Sequence, residues 1–231
     1  MNWHPSPNCG ERRAGARPDI VVIHYTAMAS AEKARDWLCN PEAEVSAHYL
    51  IGKDGAVWHM VAEEMRAWHA GAGAWGAVTD VNSRSIGIEL DNGGAEPFSE
   101  PLMAALEALL AGIMQRWSIV PERVIAHSDL APGRKIDPGP RFDWDRLARQ
   151  GLAVSAAAGA SSGPDGPSSA AAFAQNAAQL GYTADAPEEA ILAAFRLRHR
   201  PGAEGPLDNV DTALVMDLAR RFPVDARGLS A

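Results

Sequence analysis

The sequence predicts an α/β fold, a mixed central sheet flanked by helices, followed by a small C-terminal three-helix bundle. Three observations predict it. "DIVVIHY", Asp19 to Tyr25, is apolar and β-branched with no polar alternation, as a strand covered on both faces requires. Further strand-like runs alternate with stretches of helical spacing. Beyond "AVSAAAGASSGPDGPSS", Ala153 to Ser169, only helical patterns remain.

The elements follow in chain order. After the first strand, "SAEKARDWL" opens on Ser30, a residue type that caps helices by accepting a backbone N–H. "HYLIGKDGAVWHMV", His48 to Val61, sets Asp54-Gly55 between two strand-like runs, a hairpin signal because both turn residues tolerate positive φ. "SIGIELD" (Ser85 to Asp91) and "RVIAHSD" (Arg123 to Asp129) read as two more strands. Between those two, Leu102, Leu106, Leu109, Ile113 and Trp117 fall on one helical face. The last three helices are predicted over Ser168 to Tyr182, Pro187 to His199 and Asp208 to Phe222. Gly181 closes the first, and Pro187 with two Glu opens the second.

The small-residue stretch buries too little apolar surface to order itself and reads as a flexible linker. Every Trp and every Lys lies before it. The predicted division is therefore an α/β unit over 1–152, a linker over 153–167 and a helical unit over 168–231. Formal charge is −8, from 21 Lys and Arg against 29 Asp and Glu, which excludes a basic footprint for nucleic acid. No apolar run is long enough to span a bilayer. "MNWHPSPNCGERRAGARPD" has no apolar core of a leader, so the expected compartment is the cytoplasm. A chain processed from a longer precursor would instead suit the periplasm or cell envelope. Cys9 and Cys39 lack metal-type spacing and are expected as free thiols, with a single disulfide as the alternative.

The chemistry gathers at strand ends. His24 ends the first strand, His127 ends a later one, and Asp137 follows ten residues on in "IAHSDLAPGRKIDPGP". Open α/β sheets place their sites at such ends. Two imidazoles and a carboxylate suit zinc and leave a fourth position open for water. Lys135 and Asp137 lie two apart in an extended stretch, which sends both side chains the same way. Glu89 is the one acid inside an apolar strand run, costly to bury without a task. Near an activated water it could serve as base and then as acid.

The set "VVIHYTA", "SAHYLIGKDGAVWHMV", "AWHAG", "SIGIELDN" and "AHSDLAPGRKIDPGPRFDW" resembles the zinc-dependent N-acetylmuramoyl-L-alanine amidases of the type 2 class, relatives of peptidoglycan recognition proteins. The resemblance covers Trp3 to Leu147. It implies one Zn2+ held by His24, His127 and Asp137, with Glu89 as the acid/base carboxylate and Lys135 as the cation beside the metal. Tyr25 is a candidate substrate contact. His69 is another, with loop packing as the alternative. Ala47 stands before His48 where phage-type members carry a catalytic Tyr, so the proton work falls to Glu89. The region from Leu180 to Ala219 resembles a small peptidoglycan-binding unit, which predicts a tethered wall anchor. The expected activity is hydrolysis of the bond between N-acetylmuramic acid, or its 1,6-anhydro form, and L-alanine of the stem peptide. The expected partners are peptidoglycan or muropeptide fragments. Two rivals stay open, a non-catalytic peptidoglycan receptor and a zinc peptidase acting on the stem peptide.

Overall fold

The computed structural model describes residues 1–160 and 169–225. A six-stranded mixed sheet forms the centre, in the order β1 (Asn2–Trp3), β5 (Val57–His59), β4 (Tyr49–Ile51), β7 (Ser85–Leu90), β3 (Ile20–Tyr25), β8 (Val124–Ala126). The pairs β4·β7, β7·β3 and β3·β8 are parallel. The predicted hairpin is β4·β5, antiparallel, with Gly55 at φ 84 in its turn. A two-stranded antiparallel ribbon, β2 (Cys9–Glu11) with β6 (Met65–Ala67), sits apart from the sheet.

The β3 strand has no polar alternation because both of its faces are covered. Val21 and Ile23 join Ile86, Ile88 and Leu90 against α3 (Glu100–Trp117) and α5 (Trp144–Arg149). The predicted stripe of α3 is the one buried there, with Leu102, Leu106, Leu109 and Ile113 in the core. On the opposite face Ile20, Val22 and Ile125 pack with Trp75 and with α6 (Ala170–Leu180), α7 (Glu188–His199) and α8 (Asn209–Arg221). A smaller cluster seats α1 (Ala31–Leu38) on Leu50 and Met60. Ser30 Oγ caps α1 by accepting from Lys33 N–H, as expected.

The stretch read as a linker begins inside the molecule, since Ala153 and Val154 are buried. Residues 161–167 and the start of the predicted helix at Ser168 lie outside the described residues. The three C-terminal helices share one apolar cluster with the sheet. Gly181 lies so close to Trp75 that a Cβ there would meet the indole at 2.3 Å.

One predicted strand is shorter than expected. The run Arg123 to Asp129 is extended only to Ala126, and His127 opens a four-residue helical turn, α4 (His127–Leu130). The cause is Asp129, whose carboxylate accepts the Ala126 N–H at 2.9 Å and turns the chain. Cys9 and Cys39 are free thiols. Among the described residues no helix is long and apolar enough to cross a membrane.

Candidate active site

Three adjacent parallel strands deliver the site at their C-terminal ends. His24 and Glu89 are register partners on β3 and β7, so both side chains leave the sheet on the same face. On β8, Ala126 pairs with Ile23, which brings His127 level with His24. The loop that follows is closed by backbone bonds. Ser128 N–H donates to Asp137 O at 3.1 Å, returning Asp137 to the start of α4.

The result is a triangle of donor atoms. His24 Nδ1 is 2.9 Å from His127 Nδ1 and 2.9 Å from Asp137 Oδ2, and His127 Nδ1 is 3.0 Å from that same oxygen. All three residues are buried, and their ligand atoms could hold one metal ion. A proton cannot serve all three contacts. His127 Nε2 lies 2.9 Å from Ala70 O, a carbonyl that only accepts, so His127 carries its hydrogen on Nε2 and turns a lone pair inward. Two imidazole nitrogens and one carboxylate oxygen, buried and converging, suit a divalent cation of zinc type.

Charge in the site follows from this crowding. Burial, and then the neighbouring His127, push the His24 pKa down to about 4, against the pull of Asp137. Burial works to raise Asp137, but the two imidazoles beside it hold it below the usual carboxylate range. Glu89 is pushed well above the usual range by burial and then by Asp137, while Lys135 pulls it the other way. Its Oε2 is buried and, among the described residues, has no hydrogen-bond partner. A buried carboxyl in these surroundings is favoured in its protonated form.

A pocket of about 540 Å³ opens over these atoms, with Tyr25, Trp37, Trp68, His69 and Lys135 among its walls. A larger groove of about 660 Å³ lies between Ile136 and α7 and holds none of the three donors, so the chemistry belongs to the smaller one. Tyr25 and His69, the expected substrate contacts, both line the site. Trp68 faces this pocket, whereas Trp75 belongs to the core, 2 % exposed and edge-on to Tyr182. The His48 ring is structural, accepting from Gly87 N–H at Nδ1 and facing Met65 O with Nε2. Sequence reasoning missed the wall formed by Ala70, by Asn82 of the short helix α2 (Val81–Arg84) and by Arg134. Asn82 Oδ1 accepts from His69 N–H and Ala70 N–H, while Arg134 donates to Ala70 O. Backbone carbonyls leave no residue-type signal, so only the neighbouring "AWHAG" pointed there.

The sequence matches the model of the family described as "N-acetylmuramoyl-L-alanine amidase" over residues 14–140, more than half of the chain. The chain belongs to this amidase family. It is 34% identical to N-acetylmuramoyl-L-alanine amidase AmiD of Escherichia coli (strain K12), across 90% of this chain and 85% of that one. It is 32% identical to 1,6-anhydro-N-acetylmuramyl-L-alanine amidase AmpD of Enterobacter cloacae, across 62% of this chain and 86% of that one. Among solved structures, the Escherichia coli AmiD complex with anhydro-N-acetylmuramic acid-L-Ala-D-gamma-Glu-L-Lys superposes with a TM-score of 0.81 at 33% identity, covering 91% of this chain and 92% of that one. AmpDh3 of Pseudomonas aeruginosa in complex with anhydromuramic pentapeptide gives 0.81 at 29%, covering 91% and 94%. As an amidase of this family, the chain has the mixed α/β sheet with flanking helices that these relatives share.

Proposed function

We propose that this amidase cleaves the amide between N-acetylmuramic acid, in its 1,6-anhydro form, and L-alanine of the stem peptide, with one zinc ion held by His24, His127 and Asp137. The observation that carries the reading is the triangle of converging donors beside a carboxyl with an unpartnered, buried oxygen. The bound anhydromuramyl peptides in two of the superposed relatives support the substrate class.

Zinc in this site would supply Lewis-acid polarisation of the scissile carbonyl and a water of lowered pKa. Glu89 takes the proton of the attacking water. Burial and then Asp137 push its carboxyl towards the protonated form, and Lys135 opposes them by favouring the ionised form that can take a proton. Glu89 then delivers that proton to the departing amine of L-alanine. Lys135 lies on the pocket wall and is the residue to stabilise the negative charge that the carbonyl oxygen gains in the tetrahedral state. Tyr25 and the Trp37 and Trp68 rings give the walls along which the sugar and lactyl group lie. The receptor alternative has no use for an intact donor set beside Glu89.

We assign the catalytic residues to 1–152 and contact with peptidoglycan to the helical part over 168–231, with 153–167 joining the two stretches. Metal analysis of the purified chain tests the centre of this proposal. One zinc per chain is expected, and His24→Ala should lose both the metal and turnover of anhydromuramyl tripeptide. Stoichiometric zinc and normal cleavage in His24→Ala would overturn the ligand set.

A further inference from the structure

His69 sits in the pocket wall, yet both of its ring nitrogens are spent within the protein. Its Nδ1 lies 3.0 Å from His24 Nε2, and its Nε2 lies 3.1 Å from Ser85 Oγ. Ser85 Oγ is also 2.6 Å from Val81 O. These three contacts can be read in one direction only. A carbonyl accepts and never donates, so two oxygens at 2.6 Å require the Ser85 hydrogen between them. With its single hydrogen committed to Val81, the Ser85 hydroxyl must accept from His69 Nε2–H. A neutral His69 ring then presents a lone pair at Nδ1, and His24 must donate to it from Nε2. His24 Nδ1 is left as a lone pair facing His127 and Asp137.

That outcome is not the default for His24. Asp137 Oδ2, 2.9 Å from His24 Nδ1, would by itself draw the hydrogen to Nδ1, where it would occupy the metal-binding lone pair. The opposing pull comes from His69. The ring is held in place from several sides. Gly87 faces it from β7, and a Cβ there would come within 2.5 Å of His69 Cγ. Asn82 Oδ1 pins the backbone on both sides of the His69–Ala70 peptide, accepting both N–H groups at 3.0 and 2.9 Å. The next residue does for His127 what His69 does for His24, because Ala70 O accepts His127 Nε2–H.

We infer that His69 and Ser85 are positioning residues that fix His24 in the Nε2–H tautomer, so that the His69–Ala70 dipeptide presents both histidines to the metal as lone pairs. This inference rests on the proposed metal site. It also takes His69 away from substrate binding, since only ring carbons remain to face the pocket.

The test uses the full chain with zinc and a competing chelator, and long-range 1H–15N correlation of the imidazoles in the metal-free chain. Wild type should show His24 protonated on Nε2. His69→Leu should weaken zinc roughly 10- to 100-fold, the usual cost of losing such an outer partner. Ser85→Ala, which leaves the His69 ring in place, should weaken zinc less and yield a mixture of His24 tautomers. His69→Asn, whose Oδ1 accepts where Nδ1 did, should restore most of the affinity. A wild-type His24 protonated on Nδ1 would overturn the inference. So would wild-type zinc affinity in both His69→Leu and Ser85→Ala, or a rise in KM alone. Failure of wild type to bind zinc would strike the metal reading instead, and the tautomer spectrum would still decide the His69 geometry.

Discussion

The Oε2 atom of Glu89 has no hydrogen-bond partner among the described residues, and a glutamine there would keep the side chain's shape while removing its ability to carry a proton. Glu89→Gln should therefore bind zinc as wild type does and lose roughly 10²–10⁴ in kcat, the usual range for a general acid/base. Metal analysis and steady-state rates on anhydromuramyl tripeptide check this, and a near-wild-type kcat would remove Glu89 from the chemistry. The residue was legible in the sequence because an acid inside "SIGIEL" breaks the apolar pattern of a buried strand. His24, His127, Lys135 and Asp137 were legible through spacing and resemblance. Asp129 was not. In the sequence it is one more polar residue near His127, and its role depends on Tyr182 and Arg198, both more than fifty positions away.

At the scale of elements, strands and helices followed the local patterns closely where one face or both are apolar. β3, β7, α3 and the three C-terminal helices lie within a few residues of their expected bounds. The miss at His127 shows the limit, because a side chain capturing one backbone N–H outweighed three strand-like residues. The hairpin strand β4 makes a further prediction through His48, just before it. This ring is buried beside Arg12, and burial followed by that guanidinium pushes its pKa from 6.5 down to about 3. Between those values the unfolded chain binds a proton that the folded one refuses. Stability from the neutral ring is thus complete above pH 6.5 and is lost as pH falls towards 3. His48 alone contributes a slope on the order of 1.4 kcal/mol per pH unit. Urea unfolding at several pH values from 7 to 4.5 should give His48→Gln a shallower slope than wild type. An equal slope would mean that His48 is protonated in the folded protein.

For the whole molecule, the C-terminal helices are a wall of the catalytic body. The sequence suggested a tethered unit because small residues, Gly and Pro precede it, and composition does not reveal which face a helix covers. The structure seats Phe173, Phe195 and Leu218 in the cluster that covers Ile20 and Val22. Tyr182 Oη and Arg198 Nη1 each donate to the fully buried Asp129 at 2.6 Å, two residues from His127. Arg198 also stacks over Trp144 at 4.2 Å and donates to Val124 O. A chain ending at Gly151 would strand the Asp129 charge and expose one face of the sheet. It should lose activity even on small soluble muropeptides, whereas a tether could be cut without that loss. Arg198→Met should cost about 3–5 kcal/mol, the usual penalty for orphaning one member of a buried ion pair. Thermal or urea unfolding reads the second change. Full activity of the truncated chain on soluble fragments would contradict the integrated arrangement.

The products of cleavage decide which bond breaks. Incubating the zinc-loaded full chain with anhydro-N-acetylmuramyl-L-Ala-D-Glu-L-Lys and weighing the products by mass spectrometry tests the proposed cleavage most directly. Free anhydro-N-acetylmuramic acid and an intact tripeptide are expected, with one water added across the lactyl amide. A product in which the sugar still carries L-alanine would show that the bond cut lies within the peptide, and would contradict the proposed cleavage.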